Sequence, residues 1–177
     1  MIDLSVAYNR YRFLGDEFLT WLWHLIETDS NFFSKIDSDC SALEIGNRMV
    51  LENRKGKSVE RITIKGDGAG LEEGKLALQK GALVAELALL FNTGEHQWQL
   101  SIKGESLNVS GLKPPGPALP QSPEEMEEFL LDKSQRILKI LNFMEMLFKL
   151  FIKLRISTKW QSKTLPSLKK WIHSGGL

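Results

Sequence analysis

The residues from Glu124 to Ile156 constrain the fold most, because their pattern predicts one very long helix. Ser122 can cap its start, Pro123 suits its first position, and Glu125 can complete a capping box. From Ile137 onward most residues are apolar, and a polar stripe recurs every three or four positions: Lys139, Asn142, Glu145, Lys149 and Lys153. Charges this frequent do not suit a membrane span. We therefore expect a packed helix buried on most sides, with a partner-binding or membrane-surface helix as the alternative.

Charge is distributed unevenly along the 177 residues. From Lys133 to the end there are ten Lys or Arg residues and one acid, Glu145, so this part carries net +9 and the remainder about −8. Such asymmetry favours a polyanionic or acidic partner, although a solvated helical surface gives the same pattern.

Cys40 is the single cysteine, so one chain can form neither a disulfide nor a Cys-x-x-Cys zinc pair. This usage fits the reducing cytosol. The residues after Met1 lack the basic and apolar regions of a signal peptide. We therefore expect a cytoplasmic protein that does not enter the membrane.

The first 112 residues alternate between helical and strand patterns. Apolar and polar side chains alternate over residues 8–13, as in a short strand. Gly15 then marks a break, and a helical pattern follows. The expected helices are 16–28, 71–80 and 123–156, and the expected main strands are 42–53, 58–65, 82–91, 96–103 and 106–112. The turns are too short for parallel crossovers. We therefore expect an α+β fold, in which an antiparallel sheet of about five strands carries the N-terminal helix and the long C-terminal helix.

Five of the six prolines lie between Lys113 and Pro123 and predict an extended linker. The expected organisation is an α+β sheet domain over 1–112, a Pro-rich linker over 113–123, and a long helix with a basic helical tail over 124–177. We expect this last part to pack on the same core, with Pro166 starting a final short helix.

Motifs for catalysis or cofactor binding are weak. The glycine-rich residues 66–70 follow a strand and precede a helix, but they lack the spacing of a P-loop or a dinucleotide fingerprint, which favours a plain turn. The three histidines have no cysteine or acid at ligand spacing. We predict no catalytic residue, no metal and no cofactor. Scattered acids leave a metal-dependent nuclease as the third alternative: Asp37, Asp39, Glu44 and Glu52.

The basic C-terminal part offers a better candidate site. Lysine and arginine neutralise phosphates, and exposed tryptophans can stack on unpaired bases. Trp171 lies among the same lysines. The candidate DNA-binding residues are Lys149, Lys153, Arg155, Lys159, Trp160, Lys163, Lys169 and Lys170. The alternative is that the tryptophans belong to the core and the lysines only solvate the helix end.

Two stretches resemble the bacterial RdgC-like, recombination-associated family: residues 13–23 (FLGDEFLTWLW) and residues 71–89 (LEEGKLALQKGALVAELAL). The segment from Trp160 to Trp171 is similar to the end of shorter members. The resemblance corresponds to the C-terminal half of a full family member. It implies a DNA-associated protein, because better-known members form ring-shaped dimers that encircle duplex DNA without sequence preference and restrain the RecA recombinase. It assigns no catalytic residue.

The leading hypothesis is therefore a non-enzymatic, sequence-independent DNA-binding accessory protein in recombination or replication. The alternative is a protein-interaction module, either a homodimer built through the long helix or a partner of a separate chain. It rests on an apolar arc of the long helix that is too wide for one small sheet to cover.

Overall fold

The fold comes from a computed structural model that describes residues 4–55, 58–66, 70–116 and 120–174. The α-helices in this part are α1 (Leu4–Thr28), α2 (Gly70–Gln79), α3 (Pro123–Arg155) and α4 (Leu165–His173). The strands are β1 (Ala42–Lys55), β2 (Ser58–Lys65), β3 (Leu83–Asn92), β4 (Gln97–Lys103) and β5 (Val109–Lys113). A 3-10 helix over Ser30–Lys35 follows α1, and a π-helical segment over Trp160–Thr164 precedes α4.

The five strands form one antiparallel sheet in the order β2-β1-β3-β4-β5, which confirms the predicted α+β fold. Buried and exposed side chains alternate along β4. Trp98, Leu100 and Ile102 are buried, whereas Gln97 and Gln99 between them are exposed. Because successive side chains of a strand point to opposite faces, β4 packs one side against the core and leaves polar side chains on the other.

A single hydrophobic cluster joins the sheet to α1, α3 and α4. The ring of Phe91 on β3 lies 4.9 Å from that of Phe143 on α3. The ring of Phe151, further along α3, lies 5.5 Å from both Phe18 and Trp21 on α1. Aromatic rings at these centroid separations bury a large apolar area, so they hold the long helix against the rest of the core.

The predicted N-terminal strand over residues 8–13 is wrong, because α1 runs without interruption from Leu4 to Thr28. The reason lies at Gly15, which contacts the turn after β4 through main-chain atoms. A Cβ built on Gly15 would lie 1.7 Å from the carbonyl oxygen of Gly104. Glycine therefore stands inside this helix because no side chain fits at the contact, and it does not end the helix.

The helix α3 starts where the sequence predicts. The hydroxyl of Ser122 accepts a hydrogen bond from the Glu125 main-chain N–H at 3.2 Å, and Oε2 of Glu125 accepts one from the Gln121 N–H at 2.8 Å. Ser122 thus caps the helix as predicted, whereas the Glu125 carboxylate bonds the N–H of the residue before the cap instead of the Ser122 N–H that a capping box uses. Pro123 occupies the first helical position.

The expectation that the long helix is buried on most sides is wrong. The buried residues of α3 are Ile140, Phe143, Met144, Leu147 and Phe151. They share one side of the helix, since the sheet and α1 reach only that side. Within the described residues, no helix is long and apolar enough to cross a membrane.

Parts of three predicted connections lie outside the described residues. These parts are residues 56–57 of the predicted hairpin turn, 67–69 of the glycine-rich turn and 117–119 of the Pro-rich linker. Residues 175–177 of the basic tail also lie outside them.

Candidate nucleic-acid interface

The candidate DNA-binding residues are distributed along the C-terminal part of the chain, from the last turns of α3 through the π-helical segment to α4. Leu168 and Trp171 are buried and lie three positions apart, so they form the inward face of α4. Lys169 and Lys170 fall roughly 100° and 200° around the helix from Leu168, at about 100° per residue, and both are exposed. The helix thus presents its lysines away from the core.

The expected stacking of exposed tryptophan rings is wrong for both tail tryptophans. Trp160 is 2% exposed, and its ring packs edge-on against Phe151 at 5.6 Å. Trp171 is 6% exposed and packs edge-on against Trp23 at 5.1 Å. These large apolar rings are what attach the C-terminal segment to the core, so neither offers a face to a base.

The carboxylate of Glu27, near the end of α1, fixes the orientation of α4. Its Oε1 accepts a hydrogen bond from Trp23 Nε1 at 2.7 Å, and its Oε2 accepts one from Trp171 Nε1 at 2.9 Å. Lys75 on α2 forms an ion pair with the same Oε2 at 2.5 Å. One side chain therefore ties three helices together and holds the indole of Trp171 inward. Sequence patterns do not reveal this contact, because Lys75 and Trp171 are far from Glu27 in the chain.

Two of the candidate cations are engaged within the protein. Nε of Arg155 lies 2.6 Å from Oε2 of Glu17, and its guanidinium lies 5.1 Å from the centre of the Trp160 ring. Lys149 pairs with Glu145 one helical turn earlier at 2.6 Å, in an exposed position where such pairs contribute little. Arg155 is therefore a structural contact between α3 and α1 that remains half-buried.

The other lysines of the set are exposed, and none forms an ion pair with any residue in the described part of the chain. They are Lys153, Lys159, Lys163, Lys169 and Lys170. Their charges are therefore not neutralised internally. A polyanion meeting this surface would gain these five cations without first breaking an internal pair.

A second group of charges, which sequence patterns do not single out, lies between α1 and the sheet. Arg54 donates to both carboxylate oxygens of Asp16, at 2.6 and 3.2 Å, and Glu52 accepts from Arg12 at 2.8 Å and from Arg61 at 2.7 Å. Asp16 and Glu52 are each 2% exposed. Every buried carboxylate here is matched by guanidinium groups, so the cluster holds α1 to the sheet.

These arginines also determine the protonation of Glu52. Burial alone raises the pKa of the Glu52 carboxyl, but hydrogen bonds from Arg61 and Arg54 and the charge of Arg12 outweigh burial and lower it overall. Glu52 is thus a carboxylate held by cations. The other acids considered for a nuclease do not join it: Asp39, for example, pairs with Lys139 at 2.5 Å. Within the described residues, no group of three or more His, Cys, Asp or Glu could hold a metal ion.

His24 and Ser167 bring an imidazole close to a hydroxyl, which is the arrangement of a base and a nucleophile. Nε2 of His24 lies 3.3 Å from the Ser167 hydroxyl. Burial lowers the pKa of His24, with Glu27 acting in the opposite direction. Nδ1 has no hydrogen-bond partner among the described residues, so no acid orients the ring as a catalytic triad requires. Cys40 is inert as well, because burial, followed by the charge of Asp37, raises the pKa of its thiol to about 11.

Comparison with protein-family models, with curated proteins and with solved structures finds no match to this chain.

Proposed function

We propose that this protein binds DNA without sequence preference and acts as a non-enzymatic accessory factor in recombination or replication. The observation that carries this proposal is the surface of five exposed lysines on the end of α3 and on the segment through α4, none of them neutralised internally. The resemblance of residues 13–23 and 71–89 to the RdgC-like family supports the same function. Binding would occur at the C-terminal end of the long helix.

The chemistry of this surface favours contacts to phosphates. Lysine is a flexible point charge that binds phosphate oxygens, and phosphate contacts carry no information about base sequence. The affinity of such a surface comes from releasing the counterions of DNA, so it falls steeply as salt increases. Because Trp160 and Trp171 are buried, the candidate residues provide no aromatic platform for unpaired bases. We therefore expect duplex DNA to bind at least as well as a single strand.

Replacing Lys159, Lys163, Lys169 and Lys170 together with glutamine should abolish most DNA binding at low salt. Each phosphate contact contributes about 0.9 to the slope of log K against log salt concentration, so the slope should become shallower by roughly 3 to 4 if all four lysines contact phosphates. Fluorescence anisotropy with a labelled duplex across a salt series measures both quantities.

A matched control removes the same charge elsewhere. Lys35, Lys65, Lys80 and Lys113 are also exposed, so replacing these four with glutamine lowers the net charge equally and should leave most of the binding intact. Absence of binding by the wild-type protein at low salt would refute the proposal. Equal losses in the two quadruple variants would refute the assigned site.

A second candidate function is assembly through α3, either into a homodimer or with a separate protein. The observation in its favour is a set of exposed apolar side chains along this helix: Met126, Leu130, Leu131, Leu138, Leu141, Met146 and Leu150. Leu131 is 60% exposed and Leu138 is 56% exposed. These two residues stand seven positions apart, so they lie on the same side of the helix, as in a helix–helix seam.

Replacing Leu131 and Leu138 together with lysine should convert a dimer into a monomer without unfolding it, because both side chains are solvent-exposed in the single chain. Light scattering at micromolar concentration gives the mass, and circular dichroism checks the fold. Leu76 on α2 is 44% exposed, so Leu76→Lys provides the control and should leave the mass unchanged. A monomeric wild-type protein would argue against homodimerisation through α3.

A further inference from the structure

A cavity of about 430 Å³ lies between the end of α1 and the strands β1 and β2. This volume is within the range of pockets that bind small molecules or short peptide segments. Its apolar lining comes from Ile26, Leu43, Ile45, Met49 and Ile64. The lysine surface does not line this cavity, and Glu27, which holds α4, forms part of one wall.

An irregularity in β1 creates the cavity. Ile45 pairs with Leu89 and Met49 with Leu87, so three residues of β1 stand opposite Ala88 alone. A Cβ built on Gly46 would lie 3.1 Å from Cβ of Ala88, which explains why a residue without a side chain stands here. Bulges of this kind bend a strand, and they occur often beside functional sites.

The same region leaves one edge of β1 without a neighbouring strand. The pairing of β1 with β2 extends only to Arg48, opposite Lys65, and one further hydrogen bond joins the Gly66 N–H to the Asn47 carbonyl at 3.1 Å. The preceding residues, 42–46, have β3 on one side, and no strand of the described chain lies on the other. A strand directs main-chain N–H and C=O groups alternately to its two sides, so this short edge faces the cavity region with main-chain groups.

The edge and the cavity together define the chemistry of an occupant. The edge requires main-chain amides, which can pair with a strand, and the cavity requires an aliphatic side chain to cover Ile45 and Ile64. An extended peptide supplies both, because strand addition takes affinity from main-chain hydrogen bonds and specificity from pockets for alternate side chains. A purely apolar small molecule would leave the edge unpaired.

We propose that this cavity binds an extended peptide segment of another polypeptide. The segment adds a short strand beside residues 42–46 of β1 and inserts an aliphatic side chain between Ile26, Ile45 and Ile64. This interaction does not depend on DNA binding, since the lysine surface uses different residues. It makes the protein an adaptor that can hold a flexible peptide at one site while another surface is occupied.

The minimal probe is N-acetyl-leucinamide, which carries two peptide groups and one aliphatic side chain. Titrated into the ¹⁵N- and methyl-labelled full chain, it should shift the amide resonances of residues 42–47 and the methyl resonances of Ile26, Ile45 and Ile64 in a saturable manner. N-acetylglycinamide, which lacks the side chain, should produce at least tenfold weaker binding. The proposal is overturned if N-acetyl-leucinamide shifts none of these resonances up to its solubility limit. It is equally overturned if 3-methylbutanol, which lacks peptide groups, binds as tightly and shifts the same amides.

Filling the cavity should prevent binding. Ile45→Trp is expected to weaken N-acetyl-leucinamide binding at least tenfold, and Ile26→Phe fills the same space from α1 without altering the sheet. Val59 on β2 is 57% exposed and does not line the cavity, so Val59→Trp should bind the probe as the wild type does. Unchanged affinity in Ile26→Phe or Ile45→Trp, or an equal loss in Val59→Trp, would place the probe elsewhere and overturn the assignment.

Discussion

Replacing Gly15 with alanine should destabilise the folded state by about 3 kcal/mol or more, at the upper end of the range for overpacked interiors. The added Cβ would lie 1.7 Å from the carbonyl oxygen and 2.4 Å from the carbonyl carbon of Gly104. Both are main-chain atoms, so no side-chain rotation can relieve the overlap. Either α1 or the turn after β4 has to move, and the hydrogen bond from the Gly104 N–H to the Ala85 carbonyl, 2.8 Å long, ties that turn to β3.

Urea unfolding followed by circular dichroism measures this loss. Gly94 provides the control, because nothing lies within 4 Å of a Cβ built there and its φ is not positive. Gly94→Ala should change the free energy of unfolding by no more than about 0.5 kcal/mol. Gly104→Ala should fall between the two, since its Cβ would meet Gly15 and Leu19 atoms at 3.2 to 3.3 Å. A Gly15→Ala protein as stable as Gly94→Ala would show that this contact is absent in solution.

Replacing Glu52 with glutamine should cost about 2 kcal/mol of folding stability, because the buried carboxylate loses its charge-assisted hydrogen bonds from three arginines. The glutamine keeps the shape of the side chain but removes the charge that Arg12, Arg54 and Arg61 share. Arg54 retains Asp16 as a partner, and Arg12 retains a longer ion pair with Glu105 at 3.4 Å. Glu60→Gln removes the same charge from an exposed position on β2 and should have little effect.

The pH dependence of stability provides an independent measurement of the same cluster. The pKa of Glu52 in the folded protein lies below its usual value of 4.5, so the folded state binds fewer protons there than the unfolded state. The stabilisation is therefore fully present above about pH 4.5 and is lost as the pH falls through the folded-state value. Glu52→Gln should flatten this acid limb of the stability curve, and Glu60→Gln should leave it unchanged. An identical acid limb in wild type and Glu52→Gln would show that Glu52 does not hold this lowered pKa.

Local patterns predicted most of the secondary structure, for identifiable reasons. The pattern in 96–103 predicted the strand, because side chains in a strand alternate between faces. The start of α3 followed from Ser122, Pro123 and Glu125, whose capping contacts are all within four residues of one another. The errors arose where a residue's role depends on a distant partner. Gly15 resembles a helix break in the local sequence, and only its contact with Gly104, outside the helix, explains why a glycine stands there.

The candidate site likewise combines one feature that the sequence predicts with others that depend on tertiary packing. The excess of lysine after Lys133 is a property of composition, so the prediction of a basic C-terminal surface needed no structure. The local sequence does not determine which of those side chains face solvent. A tryptophan among lysines suits either a stacking platform or a core anchor, and only packing against Phe151 and Trp23 assigns Trp160 and Trp171 to the core.

The sequence by itself determined the five-strand antiparallel sheet, the capped start of the long helix and the basic charge of its far end, because each depends on the order and type of neighbouring residues. The tertiary structure alone decided that the long helix is buried on one side and that Arg155 forms an ion pair with Glu17. It also decided that a cavity opens beside β1, where the β2 ladder stops. Burial, ion pairing and cavity formation depend on which elements meet in space. Because these contacts join residues as far apart as Glu17 and Arg155, no local pattern contains them.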